Sequence, residues 1–214
     1  MYRITLRNTC LVFIVTLLIS LVGQLDAQPR FNAELLLGIN AAQINGDNIA
    51  GYDHMGIMSG VGVSMRYKDN IDFCVDLLYD QRGSSLQFAF NPKPDNTNFF
   101  FISLDYVAFP LYIKIKDWLV EYQKSNFNYY RIEFIGGLSF GRAFNLTSFN
   151  GVTEFYNQND LSGIIGVTYR LNRHFGLAFR YTRSMVPLYR WVDANGFSRP
   201  VIPHQMSYYI TYAF

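Results

Sequence analysis

Residues 56–85 read GIMSGVGVSMRYKDNIDFCVDLLYDQRGSS, two alternating runs joined at Asp69-Asn70. In the first run Ser59, Val61, Val63, Met65 and Tyr67 share one parity, and Gly60, Gly62, Ser64, Arg66 and Lys68 hold the other. In the second, Ile71, Phe73, Val75, Leu77 and Tyr79 oppose Asp72, Cys74, Asp76, Leu78 and Asp80. A period of two means strands, and Asp-Asn is a turn signal. One face is almost wholly apolar and the other is small or charged. That pattern suits either a soluble sheet packed on a core or a membrane barrel with its apolar face toward lipid.

The amino terminus favours the second. Arg3 and Arg7 precede an apolar run from Cys10 to Gly23, and Leu25-Asp26-Ala27 offers a small-residue cleavage site before Gln28. This is the pattern of an export signal over residues 1–27, with residues 28–214 as the mature domain. The alternative, an uncleaved anchor, is disfavoured because the run is short for a spanning helix. Loss of 27 residues takes the chain from 214 to 187, Lys+Arg from 18 to 16 and Asp+Glu from 16 to 15. Near neutrality gives no nucleic-acid footprint. Cys74 is then the one cysteine, so no internal disulfide is expected. Aromatic residues make up 17% of the chain. No stretch after the signal is long and apolar enough to cross as a helix, which leaves the barrel as the membrane option.

Outward from the opening stretch, the same alternation predicts further strands. Arg30 to Asn40 precedes the first run. A strand from Phe99 carries Phe100, Ile102, Leu104, Tyr106 and Ala108 on one face, with a bulge at Pro110 after which Leu111, Ile113 and Ile115 take over. Asn128 to Arg142, Leu161 to Arg170, Phe175 to Thr182 and Gln205 to Phe214 complete the set. The expectation is an all-β fold, an eight-stranded antiparallel up-and-down transmembrane β-barrel. Connections one, three, five and seven are long and the others shorter, which places both mature termini on the periplasmic side of a bacterial outer membrane.

Tyr67, Tyr79, Tyr169, Tyr181, Tyr208 and Tyr212 would then form an aromatic belt against lipid or lipopolysaccharide. The other parity gathers an interior charge network of Glu34, Asp72, Asp76, Asp80, Asp105 and Glu133 with Arg66, Arg131, Arg170 and Arg180. Lys68, Lys114 and Lys116 fall near the periplasmic rim. Charges withdrawn from water must pair, and so narrow a barrel encloses little beyond its side chains. The network is expected to act as a structural plug; a substrate-binding interior is the competing reading.

Catalytic signals are weak. His54 and His204 lie in or beside external loops and His174 beside a short turn. Either loop histidine could approach Ser59 or Ser184 as a membrane lipase or deacylase requires, but no third orienting group is fixed by the sequence. Asn45, Asp47, Asn48 and Asp53 offer oxygen ligands without the spacing of a calcium loop. No catalytic residue, cofactor or metal is assigned, and Cys74 reads as a small packing residue.

The blocks LLLGINAAQINGD, GYDHMGIMSGVGVSMRY, VDLLYDQRGSS, LDYVAFPLYIKI and GGLSFGRAF resemble the successive blocks of the PorT-type outer-membrane β-barrel domain common in Bacteroidota. The resemblance spans nearly the whole mature chain. It implies an eight-stranded outer-membrane barrel without family-wide catalytic residues. Some relatives are linked to type IX secretion, and other small barrels serve as accessory subunits. The expected function is thus a noncatalytic accessory or scaffold subunit of an outer-membrane assembly or secretion complex, with a small-solute channel and a lipid-modifying enzyme as alternatives. Protein partners would be met by the external loops, with Phe88, Phe90, Tyr189, Trp191 and Phe197 as candidate contacts.

Overall fold

The computed structural model describes residues 31–47, 49–93, 99–121, 128–149, 155–192 and 196–214, the side chains at 191 and 192 excepted. Residues 1–27, expected to be an export signal, Asn48 of the calcium reading and the Trp191 side chain lie outside the described residues. Among the described residues, ten strands form one sheet. They are β1 (Phe31–Asn45), β2 (His54–Lys68), β3 (Ile71–Ser85), β4 (Ala89–Phe90), β5 (Phe101–Val120), β6 (Tyr129–Ser148), β7 (Asn159–Arg170), β8 (Phe175–Ser184), β9 (Tyr189–Val192) and β10 (Ser198–Ala213). Neighbours follow the order β1-β10-β8-β7-β6-β5-β3-β2-β4. Strand β9 pairs with β10, and β1 also pairs with β2.

The expectation of eight strands in a uniformly antiparallel barrel is corrected by this ladder. Strands β4 and β9 are additional, and β4 runs parallel to β2 through His54↔Ala89 and Met55↔Phe90. Pairs of two and four residues are too short for alternation to reveal them. Within the β3–β5 ladder the register runs unshifted from Val75↔Leu111 to Leu78↔Ala108, and Phe109 and Pro110 are paired to β6 but not to β3. Proline has no N–H to donate there. The architecture is all-β, ten strands in an incomplete barrel-like ring instead of a closed eight-stranded barrel.

Strand faces follow the hydrophobic period. Leu35, Leu37, Val61, Val63, Phe73, Val75, Leu77, Leu111, Ile113, Phe134, Ile165, Leu177 and Ile210 are exposed on the outer surface, while Ser64, Asp72, Asp76, Glu133, Thr168, Arg170 and Arg180 are buried inside. Beyond the outer edge of this belt the rule changes. Ile44, Ile102, Leu104, Tyr106, Ala143, Leu188 and Val201 form a buried cluster at the loop end. The expected switch of facing at Pro110 is accordingly corrected. Even-numbered residues of β5 stay inward from Ile102 through Lys114, and the register shift lies instead at Asp105/Tyr106 against β6. Apolar side chains at the loop end pack on one another inside, so the apolar parity there is the inner one.

The described chain ends lie together: Phe214 N donates to Ala33 O at 3.1 Å, and Ala213 N to His174 O at 2.8 Å. The Asp69-Asn70 and Asn172-Arg173 connections belong to the same end. In the second, Asn172 Oδ1 accepts from the N–H groups of His174 and Phe175, both at 2.8 Å. Several strands run beyond their expected limits at the opposite end, β3 to Ser85, β6 to Ser148 and β10 from Ser198.

Candidate functional site

The interior is organised in three polar tiers. Nearest the termini, four side chains from four strands alternate in sign. Lys114 Nζ reaches Glu34 Oε1 at 2.8 Å and Glu133 Oε2 at 3.3 Å. Arg170 Nη2 reaches Glu34 Oε1 at 2.6 Å, and its Nε reaches Glu133 Oε1 at 2.9 Å. Each carboxylate thus meets both cations, which offsets the cost of withdrawing all four from water. Lys116 Nζ holds Asp72 Oδ1 at 2.8 Å beside them.

At mid-height Arg180 Nη2 pairs with Asp76 Oδ2 at 2.9 Å, and the Tyr112 hydroxyl donates to Asp76 Oδ1 at 3.0 Å. The Arg180 guanidinium lies 5.2 Å from the ring centres of both Tyr112 and Tyr209. Leu36, Met58, Leu78, Ala108 and Ala178 pack around Tyr209 on one side. Cys74, Tyr112, Ile135 and Ile164 close the other. Gly62 allows the pair its position: a methyl group there would approach Asp76 Oδ1 to 2.5 Å.

The tier at the loop end centres on Arg82. Its Nε meets Asp80 Oδ2 at 2.8 Å, its Nη1 meets Asp160 Oδ2 at 2.6 Å, and its guanidinium lies 4.7 Å from the Tyr106 ring centre. Asn40 Nδ2 and Gln205 Nε2 donate to Asp80 Oδ1 at 2.6 and 2.9 Å. The hydroxyls of Ser162 and Ser184 donate to Asp160. Between this tier and the middle one remains a cavity of about 10 Å³, lined by Asp80, Arg82, Arg180, Gln205 and Ser207 among others. That is room for about one water molecule. On the terminal side of the first tier the interior opens into a cup of about 500 Å³, with Glu133 and Arg170 in its floor and Arg66, Asp69, Lys116, Tyr129, Tyr130 and Arg173 around it.

Of the ten residues expected in the interior network, Glu34, Asp72, Asp76, Asp80, Glu133, Arg170 and Arg180 are buried and ion-paired. Three stand apart. Asp105 faces the other way and accepts from Gln81 Nε2 at 3.0 Å and Asn145 Nδ2 at 2.8 Å. Arg131 lies over Trp118, 5.2 Å from the ring centre, and contacts the Tyr129 hydroxyl at 3.5 Å. Arg66 is exposed at the cup. Arg82, Asp160 and Lys114 belong to the network and are missing from the expected set. Arg82 and Asp160 fall in stretches that read as loops, yet each continues the inner parity of its strand by one step, Asp80 to Arg82 and Ser162 back to Asp160. Lys114, expected near the rim, is instead 3% exposed within the first tier.

The histidines assemble no nucleophile. His54 is fully buried, and neither ring nitrogen has a hydrogen-bond partner among the described residues. His204 packs edge-on against Tyr52, ring centres 5.3 Å apart, and His174 Nδ1 lies 2.7 Å from Ala213 O. Ser184 is engaged by Asp160 and by Val186 O. Asp47 Oδ1 accepts from Ile49 N at 2.9 Å. Of the candidate partner contacts, Phe88, Phe90 and Phe197 are exposed. Tyr189 instead packs on the loop-end cluster and against Tyr156, ring centres 6.1 Å apart.

A family model described as outer membrane protein beta-barrel domain matches residues 24–190. The chain belongs to that family. Membership gives the exposed apolar belt its surroundings: this outer-membrane protein turns Leu111, Phe134 and their neighbours toward lipid. No curated protein matches the sequence. Among solved structures, the chain is similar to Ail, the attachment invasion locus protein of Yersinia pestis, in a complex with the heparin analogue sucrose octasulfate. Identity is 11%, with a TM-score of 0.49 over 86% of this chain and 99% of that one. Neisserial surface protein A shares 14% identity, with a TM-score of 0.44 over 86% of this chain and 97% of that one. The translocator domain of the autotransporter NalP from Neisseria meningitidis shares 8%, with a TM-score of 0.26 over 100% and 99% of the two chains.

Proposed function

We propose that this protein is a noncatalytic outer-membrane barrel of the PorT type that serves as an accessory or scaffold subunit of an outer-membrane assembly or secretion complex. The observation that carries the reading is the interior itself, in which three ion-paired tiers occupy successive levels and leave about 10 Å³ between the upper two. A lumen filled in this way supports a role carried by the ends of the ring and its surfaces, not by passage through it. The sorting of long connections to one end and chain termini to the other supports periplasmic termini. The exposed Phe88, Phe90 and Phe197 at the loop end remain the aromatic candidates for contact with a protein partner.

Purification of the tagged protein from native membranes in mild detergent, followed by identification of stoichiometric companions, tests the proposal. A reproducible companion set is expected. Recovery as a lone monomer under several gentle conditions overturns the subunit reading. In planar bilayers the protein is expected to show no stable large conductance, and a sustained open level would transfer the assignment to a solute channel.

A further inference from the structure

The cup at the terminal end is blind, because the Glu34, Lys114, Glu133 and Arg170 tier closes its floor. Its lining carries four cationic side chains, Arg66, Lys116, Arg170 and Arg173, against the carboxylates of Asp69 and Glu133. Glu133 is already held by Arg170 and Lys114. Arg66 sits opposite Asp72 in the β2–β3 register, but Lys116 holds that carboxylate at 2.8 Å. Arg66 therefore points a charge at the cup without an ion pair to any described residue. Tyr129, Tyr130 and Leu119 give the same recess aromatic and apolar walls, and Lys116 Nζ lies 5.4 Å from the Tyr130 ring centre.

We propose that this cup binds a carboxylate-bearing peptide segment, an acidic stretch or carboxyl terminus of a partner polypeptide, with Arg66 as its principal contact. The proposal rests on the accessory-subunit reading and names the chemistry by which the partner docks. A guanidinium presents parallel N–H groups that match a carboxylate, and an exposed one is free to turn onto it. About 500 Å³ lies within the range of sites that enclose a small ligand. Apolar and aromatic walls beside the cations favour a ligand that carries side chains over a bare inorganic anion. The closed floor makes the cup a terminus for such a segment instead of an entrance.

The test uses the full mature protein, refolded in detergent, with fluorescein-labelled hexaglutamate as the probe and hexaglutamine as its neutral counterpart. Anisotropy should report saturable binding of hexaglutamate alone. Arg66→Gln should weaken it about tenfold or more, the loss of a charged hydrogen bond, and Arg66→Lys should restore part of the affinity. Arg142→Gln, an exposed arginine on the outer surface of β6, should leave it unchanged. Heat-modifiable gel migration confirms that each variant is folded. Equal binding by the wild-type protein and Arg66→Gln, equal loss in Arg142→Gln, or displacement of the peptide by equimolar inorganic phosphate overturns the proposal. Hexaglutamate binding without companions in the native purification would remove the subunit reading alone; companions without such binding would remove the cup alone.

Discussion

Arg180 and Asp76 face each other at 2.9 Å across the middle of the interior, with side chains 2% and 1% exposed. The pair is bracketed by Tyr112 and Tyr209, so neither charge can turn to water if its partner is lost. Breaking such a pair from one side costs about 3–5 kcal/mol, whereas replacing both members by apolar side chains of similar volume is often near neutral. Asp76→Asn or Arg180→Met should therefore lower stability by about that range, and Asp76→Leu combined with Arg180→Met should recover most of it. Urea unfolding of vesicle-inserted protein measures all three. Additive losses in the double variant would mean that the two side chains are not energetically coupled.

Much of this arrangement is legible in the order of residues. Strict alternation against Phe73, Val75, Leu77 and Tyr79 assigns Asp72, Asp76 and Asp80 to the inner face, and the same parity assigns Glu34, Glu133, Arg170 and Arg180 to it from four other strands. Alternation fails at the loop end for a physical reason. There the ring wraps its own apolar cluster, so Ile102 and Leu104 face inward as the charged residues do elsewhere. Glycine-, asparagine- and proline-rich stretches also read as turns although the strands continue through part of them, which conceals Arg82 and Asp160. Arg66 shows the converse limit: parity gives the side of a strand but not whether a neighbour such as Lys116 has already taken the carboxylate opposite.

The adjacent residues Gly136 and Gly137 separate the two faces cleanly. A Cβ at Gly136 meets nothing within 4 Å, while one at Gly137 would run into the Leu111 carbonyl oxygen and lie 2.6 Å from Tyr112 Cα. Gly137→Ala should cost about 1–3 kcal/mol through forced displacement of β5. Gly136→Ala should change stability by less than about 0.5 kcal/mol. The same unfolding measurement decides, and similar values for both would contradict the assigned faces.

Leu111 lies between Phe109 and Ile113 on the exposed apolar belt, whereas Asn159 begins β7 at its outer edge. A guanidinium at the centre of a lipid-facing barrel surface costs about 2–4 kcal/mol, falling to about 0–1 kcal/mol near the interface. Leu111→Arg should thus destabilise the vesicle-inserted protein strongly and Asn159→Arg scarcely at all. A negligible effect of Leu111→Arg would remove lipid from that face.

Cys74 offers a reporter of the same geometry from inside. It is 6% exposed and packs with Tyr112, Ile135 and Ile164 on the inner face of β3. A maleimide reagent must wait for the ring to open before it reaches the sulfur, so labelling should follow the population of opened states. Folded protein should react at least about a hundredfold more slowly than protein in concentrated urea. Asp76→Asn should accelerate labelling without changing the rate in urea, because it raises the open population and leaves the thiol alone. A folded Cys74 that reacts as fast as the unfolded one would place the sulfur on an accessible surface and overturn the inner assignment of β3, along with every ion pair that depends on it.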